Sequence, residues 1–113
     1  GLAFDTDGRL YVADPGNRLV QIFDALGGFL DQVDFAHPPE SIVTDRKGNV
    51  YVGDAVGVIT TLTSSGRRSE FAPGRGAGPA QLALSNDGRL LYVTRPGRGL
   101  VEILLISAPG DGP

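Results

Sequence analysis

The sequence predicts an all-β chain built from repeated antiparallel meanders, and three observations carry that expectation. Of its 113 residues, 17 are Gly and 8 are Pro, nearly double the ordinary usage of these two turn-formers. Between the turn clusters run apolar and β-branched stretches of four to six residues, and no stretch keeps a helical 3.6-residue spacing for long. The chain also repeats itself with a period of 40 residues, and such a period decides the architecture.

The run Gly1-Leu2-Ala3-Phe4-Asp5-Thr6-Asp7-Gly8-Arg9-Leu10-Tyr11-Val12-Ala13-Asp14 aligns without a gap on Ser41-Ile42-Val43-Thr44-Asp45-Arg46-Lys47-Gly48-Asn49-Val50-Tyr51-Val52-Gly53-Asp54. A third copy starts at Gln81-Leu82-Ala83-Leu84, and after one inserted residue its Tyr92 matches Tyr11 and Tyr51. In the first copy the apolar runs place strands near 2–4, 10–13, 19–23 and 29–35. In the second they place them near 42–44, 50–53, 58–62 and 67–71, and in the third near 82–84, 90–94 and 100–106. The third copy ends without a fourth strand, because Ser107 to Pro113 is too rich in Gly and Pro to form one. Asp7-Gly8, Lys47-Gly48 and Asp87-Gly88 each bring a Gly for the positive φ of a tight hairpin. Asp14-Pro15-Gly16-Asn17 reads as a type II turn with Gly16 at the positive-φ position.

The second strand of each copy settles how the meanders pack. Leu10 to Ala13, Val50 to Val52 and Leu90 to Val93 are apolar at every position, so both faces of each sheet need a cover. With no helices to supply it, neighbouring copies must, and small sheets stacked face to face around an axis make a β-propeller. The expected fold is therefore a partial β-propeller of three antiparallel four-stranded blades, the third incomplete. Blade 1 takes about residues 1–36, blade 2 about 41–72 and blade 3 about 81–106, with 107–113 as a tail. Half of a six-bladed ring is the expectation, since six such units need about 240 residues.

Composition narrows the function classes. Hydrophobic residues make up 41% and charged residues 20%, with a net charge of −3, which describes a packed domain and not a disordered chain. Absence of Cys excludes disulfides, thiolate zinc sites and thiol nucleophiles. No apolar run approaches the roughly 18 residues of a membrane helix, so the chain is expected to be soluble. Ten basic residues against thirteen acidic ones give no field for nucleic acid. The chain has no Met and begins inside a strand pattern at Gly1, which reads as a piece of a longer protein.

Gly1-Leu2-Ala3-Phe4-Asp5, Leu10-Tyr11-Val12-Ala13-Asp14 and Asn17-Arg18-Leu19-Val20-Gln21-Ile22-Phe23-Asp24 together resemble one NHL repeat. The second copy keeps Asp45, Gly48, Tyr51 and Asp54 but has no counterpart of Asn17 and Arg18. The third, Leu84-Ser85-Asn86-Asp87-Gly88-Arg89-Leu90-Leu91-Tyr92-Val93-Thr94, is also similar to the repeats of bacterial lactonase-like propellers. The resemblance spans about residues 1–106. It implies a propeller, commonly six-bladed, of a family that includes protein-binding and RNA-binding modules, lyases, lactonases and sensor domains. It also points to an extracytoplasmic bacterial setting, which no address in the sequence fixes.

Antiparallel alternation gathers the turns between second and third strands, and the links between blades, at one end of the arc. That end is the channel mouth, the default ligand site of the architecture, and it is expected to hold Asp14, Asn17, Arg18, His37, Glu40, Asp54, Arg75, Arg95 and Arg98. Asp14 and Asp54 serve either as acceptors for the following turn or as ligand contacts, the turn role being the ordinary one. Asn17 is expected as a left-handed turn residue. Arg18 clasps an anion or pairs with a neighbouring acid, and Arg95 with Arg98 makes the third sector basic where the first is acidic. The link His37-Pro38-Pro39-Glu40 brings an imidazole and a carboxylate close to where related lactonases place metal ligands, so Glu40 is the weak metal candidate. A metal needs three or more convergent donors, and the equivalents of Glu40 and Ser41 in the third copy are Ala80 and Gln81. Ala72 to Pro79 lacks the strand and helix of a phosphate loop.

The function expected on these grounds is a binding scaffold for a protein or small-molecule ligand, presented on the face of Arg18, His37, Glu40, Asp54 and Arg95. The alternative is a fragment of a metal-dependent lactonase-like or lyase-like enzyme. No catalytic constellation is visible, no cofactor is expected for the scaffold, and a divalent metal belongs to the alternative. The expected partners are the remaining blades, from the same parent chain or a second copy, with neither nucleic acid nor membrane.

Overall fold

Six turns among the described residues share one chemistry, an acceptor side chain three residues ahead of a glycine. Asp5, Asp24, Asp45, Asp54, Thr63 and Ser85 lead, and Gly8, Gly27, Gly48, Gly57, Gly66 and Gly88 follow with φ between 73° and 96°, where any Cβ is strained. In each turn the glycine N–H donates to the leading carbonyl at 2.9–3.3 Å. The leading side chain then takes the amide just ahead of the next strand, Arg9 on Asp5, Gly28 on Asp24, Asn49 on Asp45, Val58 on Asp54 and Arg67 on Thr63, at 2.8–3.0 Å. Ser85 takes the amide of Leu90, one residue later, where the third copy carries its insertion. These local bonds reverse the chain before any sheet is packed.

Between the turns, a computed structural model describes residues 1–71, 78–95 and 99–105. Three antiparallel sheets form among them. The first holds β1 (Leu2–Phe4), β2 (Leu10–Asp14), β3 (Leu19–Phe23) and β4 (Phe29–Asp34); the second holds β5 (Pro39–Thr44), β6 (Val50–Asp54), β7 (Ile59–Leu62) and β8 (Arg68–Phe71). β9 (Gln81–Leu84), β10 (Leu90–Arg95) and β11 (Leu100–Leu105) make the third. Each strand pairs only with its neighbours in sequence, so every sheet is a meander. The expected tail at 107–113, Arg75 and Arg98 lie outside the described residues.

Two positions differ from the sequence reading. The β2–β3 connection is one 3₁₀ turn over Pro15–Asn17, not a type II turn, and the left-handed residue is Arg18 at φ 54° and ψ 47°. Pro15 presets the first helical φ and Asp14 caps the turn by accepting from the Asn17 amide, so the reversal falls on the residue after the turn instead of on Gly16 or Asn17. The innermost strand of blade 2 also starts earlier than expected, at Pro39, and a bulge between Pro39 and Ser41 sets Glu40 outside the ladder with β6.

Packing follows strand parity. Ala3, Tyr11, Val20, Ile22 and Val33 of blade 1 meet Ile42, Val50, Val52 and Leu62 of blade 2. The opposite face of blade 2, with Val43, Tyr51 and Ile59, meets Leu82, Leu84, Leu91, Val93 and Leu104 of blade 3. Blade 2 is thus covered on both sides, and every residue of β6 is buried. Polar bonds cross the same seams: Thr44 Oγ1 donates to the Phe4 carbonyl, Arg46 to that of Asn86 at 2.9 Å, and the Leu82 amide to Ser41 Oγ at 3.0 Å. At the outer rim Arg68 donates to the Asp34 carbonyl at 2.7 Å and lies 4.6 Å from the Phe35 ring centroid.

Candidate ligand-binding face

The β2–β3 turn, the link between blades 1 and 2 and the β6–β7 turn meet at one end of the arc. Arg18 ties the first two together. Its carbonyl accepts from the Phe35 amide at 2.8 Å, and its exposed guanidinium donates through Nη1 to the Ala36 carbonyl at 3.2 Å. The Ala55 amide reaches the Pro38 carbonyl at 2.9 Å, which joins the link to the next turn. His37 is half-buried in the middle of this link, and Glu40 stands exposed at its far end on the bulge. Arg18, His37 and Glu40 therefore belong to one connected surface.

Asp54 and Arg95, expected on the same surface, are withdrawn from it. Asp54 is 4% exposed, and its Oδ1 accepts from the Val56 and Val58 amides at 3.0 and 2.9 Å, so it locks the β6–β7 turn. Arg95 is 1% exposed. It shares strand parity with Leu91 and Val93, which turns its side chain toward blade 2 and not toward the mouth. There its Nε meets Glu102 Oε1 at 2.6 Å and its Nη1 donates to the Gly57 carbonyl at 3.2 Å, while Nη2 is buried without a partner among the described residues. The basic third sector is accordingly not presented by Arg95. Asp14 accepts from Asn17 Nδ2 at 2.9 Å and acts as a turn cap.

Among the described residues no three His, Asp or Glu side chains converge. His37 and Glu40 alone do not make up the donor set of a divalent ion.

The sequence reading missed two cavities at the opposite end. One, of about 250 Å³, lies where residues 4–6, 44–46 and 84–86 of the three copies converge. The other, of about 290 Å³, opens between blades 1 and 2 beside Arg9, Tyr11, Asp31 and Ser64. The signal was present in the repeat, since residues 40 apart meet at one end. In this region burial pushes the Tyr51 hydroxyl well above its ordinary range, and the Asp45 carboxylate that accepts its bond at 2.8 Å pushes it further. Tyr11 is raised by burial too, against the Arg9 contact and with the help of Asp5.

Comparison with solved structures decides what the stacked meanders are. A streptogramin B lyase superposes with a TM-score of 0.74 at 21% identity over 93% of this chain and 39% of that one. BamB from Moraxella catarrhalis gives 0.76 at 21% over 98% and 33%, and virginiamycin B lyase from Staphylococcus aureus gives 0.72 at 19% over 99% and 42%. The fold is a partial β-propeller. A family model described as strictosidine synthase-like, N-terminal, itself a propeller family, matches residues 30–62 of the propeller, from β4 through β7. No curated protein matches by sequence. The chain spans about a third to two fifths of the solved propellers it resembles. Among the described residues no helix is long and apolar enough to cross a membrane.

Proposed function

We propose that this chain is an NHL-type propeller segment that binds an anionic group of a protein or small-molecule ligand at the mouth formed by Arg18, His37 and Glu40. Asp54 and Arg95 act behind that surface by holding the turns in place. One observation carries the reading. Arg18 holds a left-handed backbone at φ 54°, whereas the corresponding positions of the other copies are glycines, Gly57 and Gly99, at φ 96° and 63°. A side chain kept where glycine is the relaxed choice costs about 1 kcal/mol, and such outliers gather at ligand clamps.

Arg18→Gly is the informative variant, because it keeps the backbone conformation and removes the side chain with its guanidinium. Titrating an oligoglutamate peptide into ¹⁵N-labelled protein should shift the amides of residues 17–19 and 35–40. Arg18→Gly should remove those shifts while matching the wild type in urea stability within about 1 kcal/mol. Shifts that persist unchanged in the variant would sink the proposal.

A metal-dependent lactonase or lyase is the second reading. It draws support from the lyases among the structural neighbours and from Glu40, exposed on a bulge at the start of an innermost strand. It requires donors beyond His37 and Glu40. Calorimetric titration with calcium and zinc tests it, and binding that Glu40→Gln abolishes would favour it over the scaffold.

A further inference from the structure

The seam between blades 1 and 2 closes near the axis and opens toward the rim. Ala3, Tyr11, Ile22 and Asp31 form one row across the four strands of blade 1, on the face that packs against Val50 and Leu62 of blade 2. Along that row Tyr11 is buried, Ile22 half-buried and Asp31 exposed. The wedge left between the two sheets is the cavity of about 290 Å³, with Ile22, Val33, Val50 and Leu62 as an apolar floor and Arg9, Asp31 and Ser64 exposed at its rim. Both walls lie inside the arc, so this cavity does not depend on what covers the outer flanks.

The rim carries two opposite charges that blade 1 leaves largely unspent. Arg9 Nη1 lies 4.0 Å from Asp5 Oδ2, with its side chain 51% exposed, which is past hydrogen-bond range. Asp5 is itself filled by the amides of Asp7 and Arg9 and by the Tyr11 hydroxyl. Asp31 accepts the Gln32 amide beside it at 2.7 Å and pairs with no basic side chain among the described residues. The second copy folds without either charge. Asn49 stands in the place of Arg9 and is bonded to Asp45 and to the Ser64 amide, and Ser69 holds the strand position of Asp31.

We propose that this cavity binds a small zwitterion with an aliphatic body, the class of a free amino acid with an apolar side chain. The planar Arg9 guanidinium takes the carboxylate, Asp31 takes the ammonium, and the aliphatic body covers Ile22, Val33, Val50 and Leu62. A few polar groups over an apolar floor are the ordinary make-up of a small-molecule site, and such sites begin at about 300 Å³. A cavity of about 290 Å³ therefore suits one amino acid and not a larger ligand. The site lies at the opposite end of the arc from Arg18 and stands independently of the mouth.

Leucine titrated into ¹⁵N-labelled protein should shift the amides of residues 9–11, 31–33 and 62–66 and leave those of 17–19 in place. Arg9→Gln and Asp31→Asn change exposed side chains, so both should keep the wild-type circular dichroism spectrum. Each should raise the leucine dissociation constant roughly 10-fold or more, the weight of one hydrogen bond to a charged group. Two analogues separate the roles. Isocaproate, which is leucine without its ammonium, should weaken with Arg9→Gln and ignore Asp31→Asn, and isoamylamine, which lacks the carboxylate, should do the reverse. Absence of shifts with leucine at millimolar concentration would overturn the site. N-acetyl-leucinamide binding as tightly as leucine would overturn the zwitterion and leave the cavity as an anchor for an apolar side chain of a peptide. Leucine affinity unchanged in both variants would overturn the roles of Arg9 and Asp31.

Discussion

At the residue scale, the tyrosines of β2 and β6 show how one buried hydroxyl anchors a hairpin. Tyr51 donates to Asp45 Oδ2 at 2.8 Å, and the same carboxylate accepts from Asn49 Nδ2 at 2.9 Å and from two turn amides through Oδ1. Tyr11 repeats the bond to Asp5 at 3.1 Å, and the third copy has Ser85 in the place of that aspartate. Both hydroxyls are raised above their ordinary value, first by burial and then by the carboxylate beside them. A group whose folded pKa is raised contributes stability below its unfolded pKa, here about 10, and loses it as pH climbs through that value toward the folded one. Urea midpoints should therefore be flat from pH 7 to 9 and fall above about pH 10. Tyr51→Phe should lower stability at pH 7 by about 1 kcal/mol and make the alkaline fall shallower; an equally steep fall in the variant would refute the assignment to Tyr51. The candidate site was only partly legible at this scale. Topology put Asp54 and Arg95 at the right end of the arc, but an end is not a direction. The parity of Leu91, Val93 and Arg95 already turned that arginine inward, and the Asp-x-x-Gly spacing of Asp54, shared with Asp5, Asp24 and Asp45, already named its role. The repeat carried the signal for a left-handed Arg18, since Gly57 and Gly99 precede the third strand in the other copies, but the Pro15-Gly16 pair drew the reading to Gly16 and Asn17 instead.

Among the elements, the strands were legible almost to the residue, since the short apolar runs, the 40-residue repeat and the glycine turns all agree on them. What the string did not carry is how closely two blades approach. Gly53 aligns with Ala13 of the first copy, and read as sequence the two are interchangeable. In the structure a Cβ on Gly53 would lie 3.0 Å from the Ala80 carbonyl oxygen, with Leu82 Cγ at 3.4 Å. The obstacle is backbone of the next blade, which cannot swing aside as a side chain tip does. Gly53→Ala should therefore force β6 and β9 apart and cost about 1–3 kcal/mol, read as a lower urea midpoint. A variant as stable as wild type would mean that the seam between blades 2 and 3 yields freely. Close approach lets the Leu82 amide reach the short Ser41 hydroxyl across that seam, while Arg46 and Arg95 reach further, to the carbonyls of Asn86 and Gly57.

For the whole molecule, stacking makes stability a matter of position along the arc, because each blade contacts only the blades beside it. Blade 2 has a neighbour on each face, so β6 is buried throughout, whereas β8 of the same blade is exposed throughout and β4 of blade 1 nearly so. Sheet membership alone would give β6 and β8 similar protection. Packing gives a gradient from the axis outward, since opening β8 exposes little apolar surface and opening β6 breaks both cores at once. Native-state hydrogen exchange should therefore be slowest at the paired amides of Val50–Gly53 and faster by roughly 100-fold or more at those of Arg68–Phe71. The order does not depend on what covers the outer flanks, because neither strand lies on them. Equal protection in β6 and β8 would show that each blade opens as a unit, and the stability of the arc would then reside in the meanders and not in the seams between them.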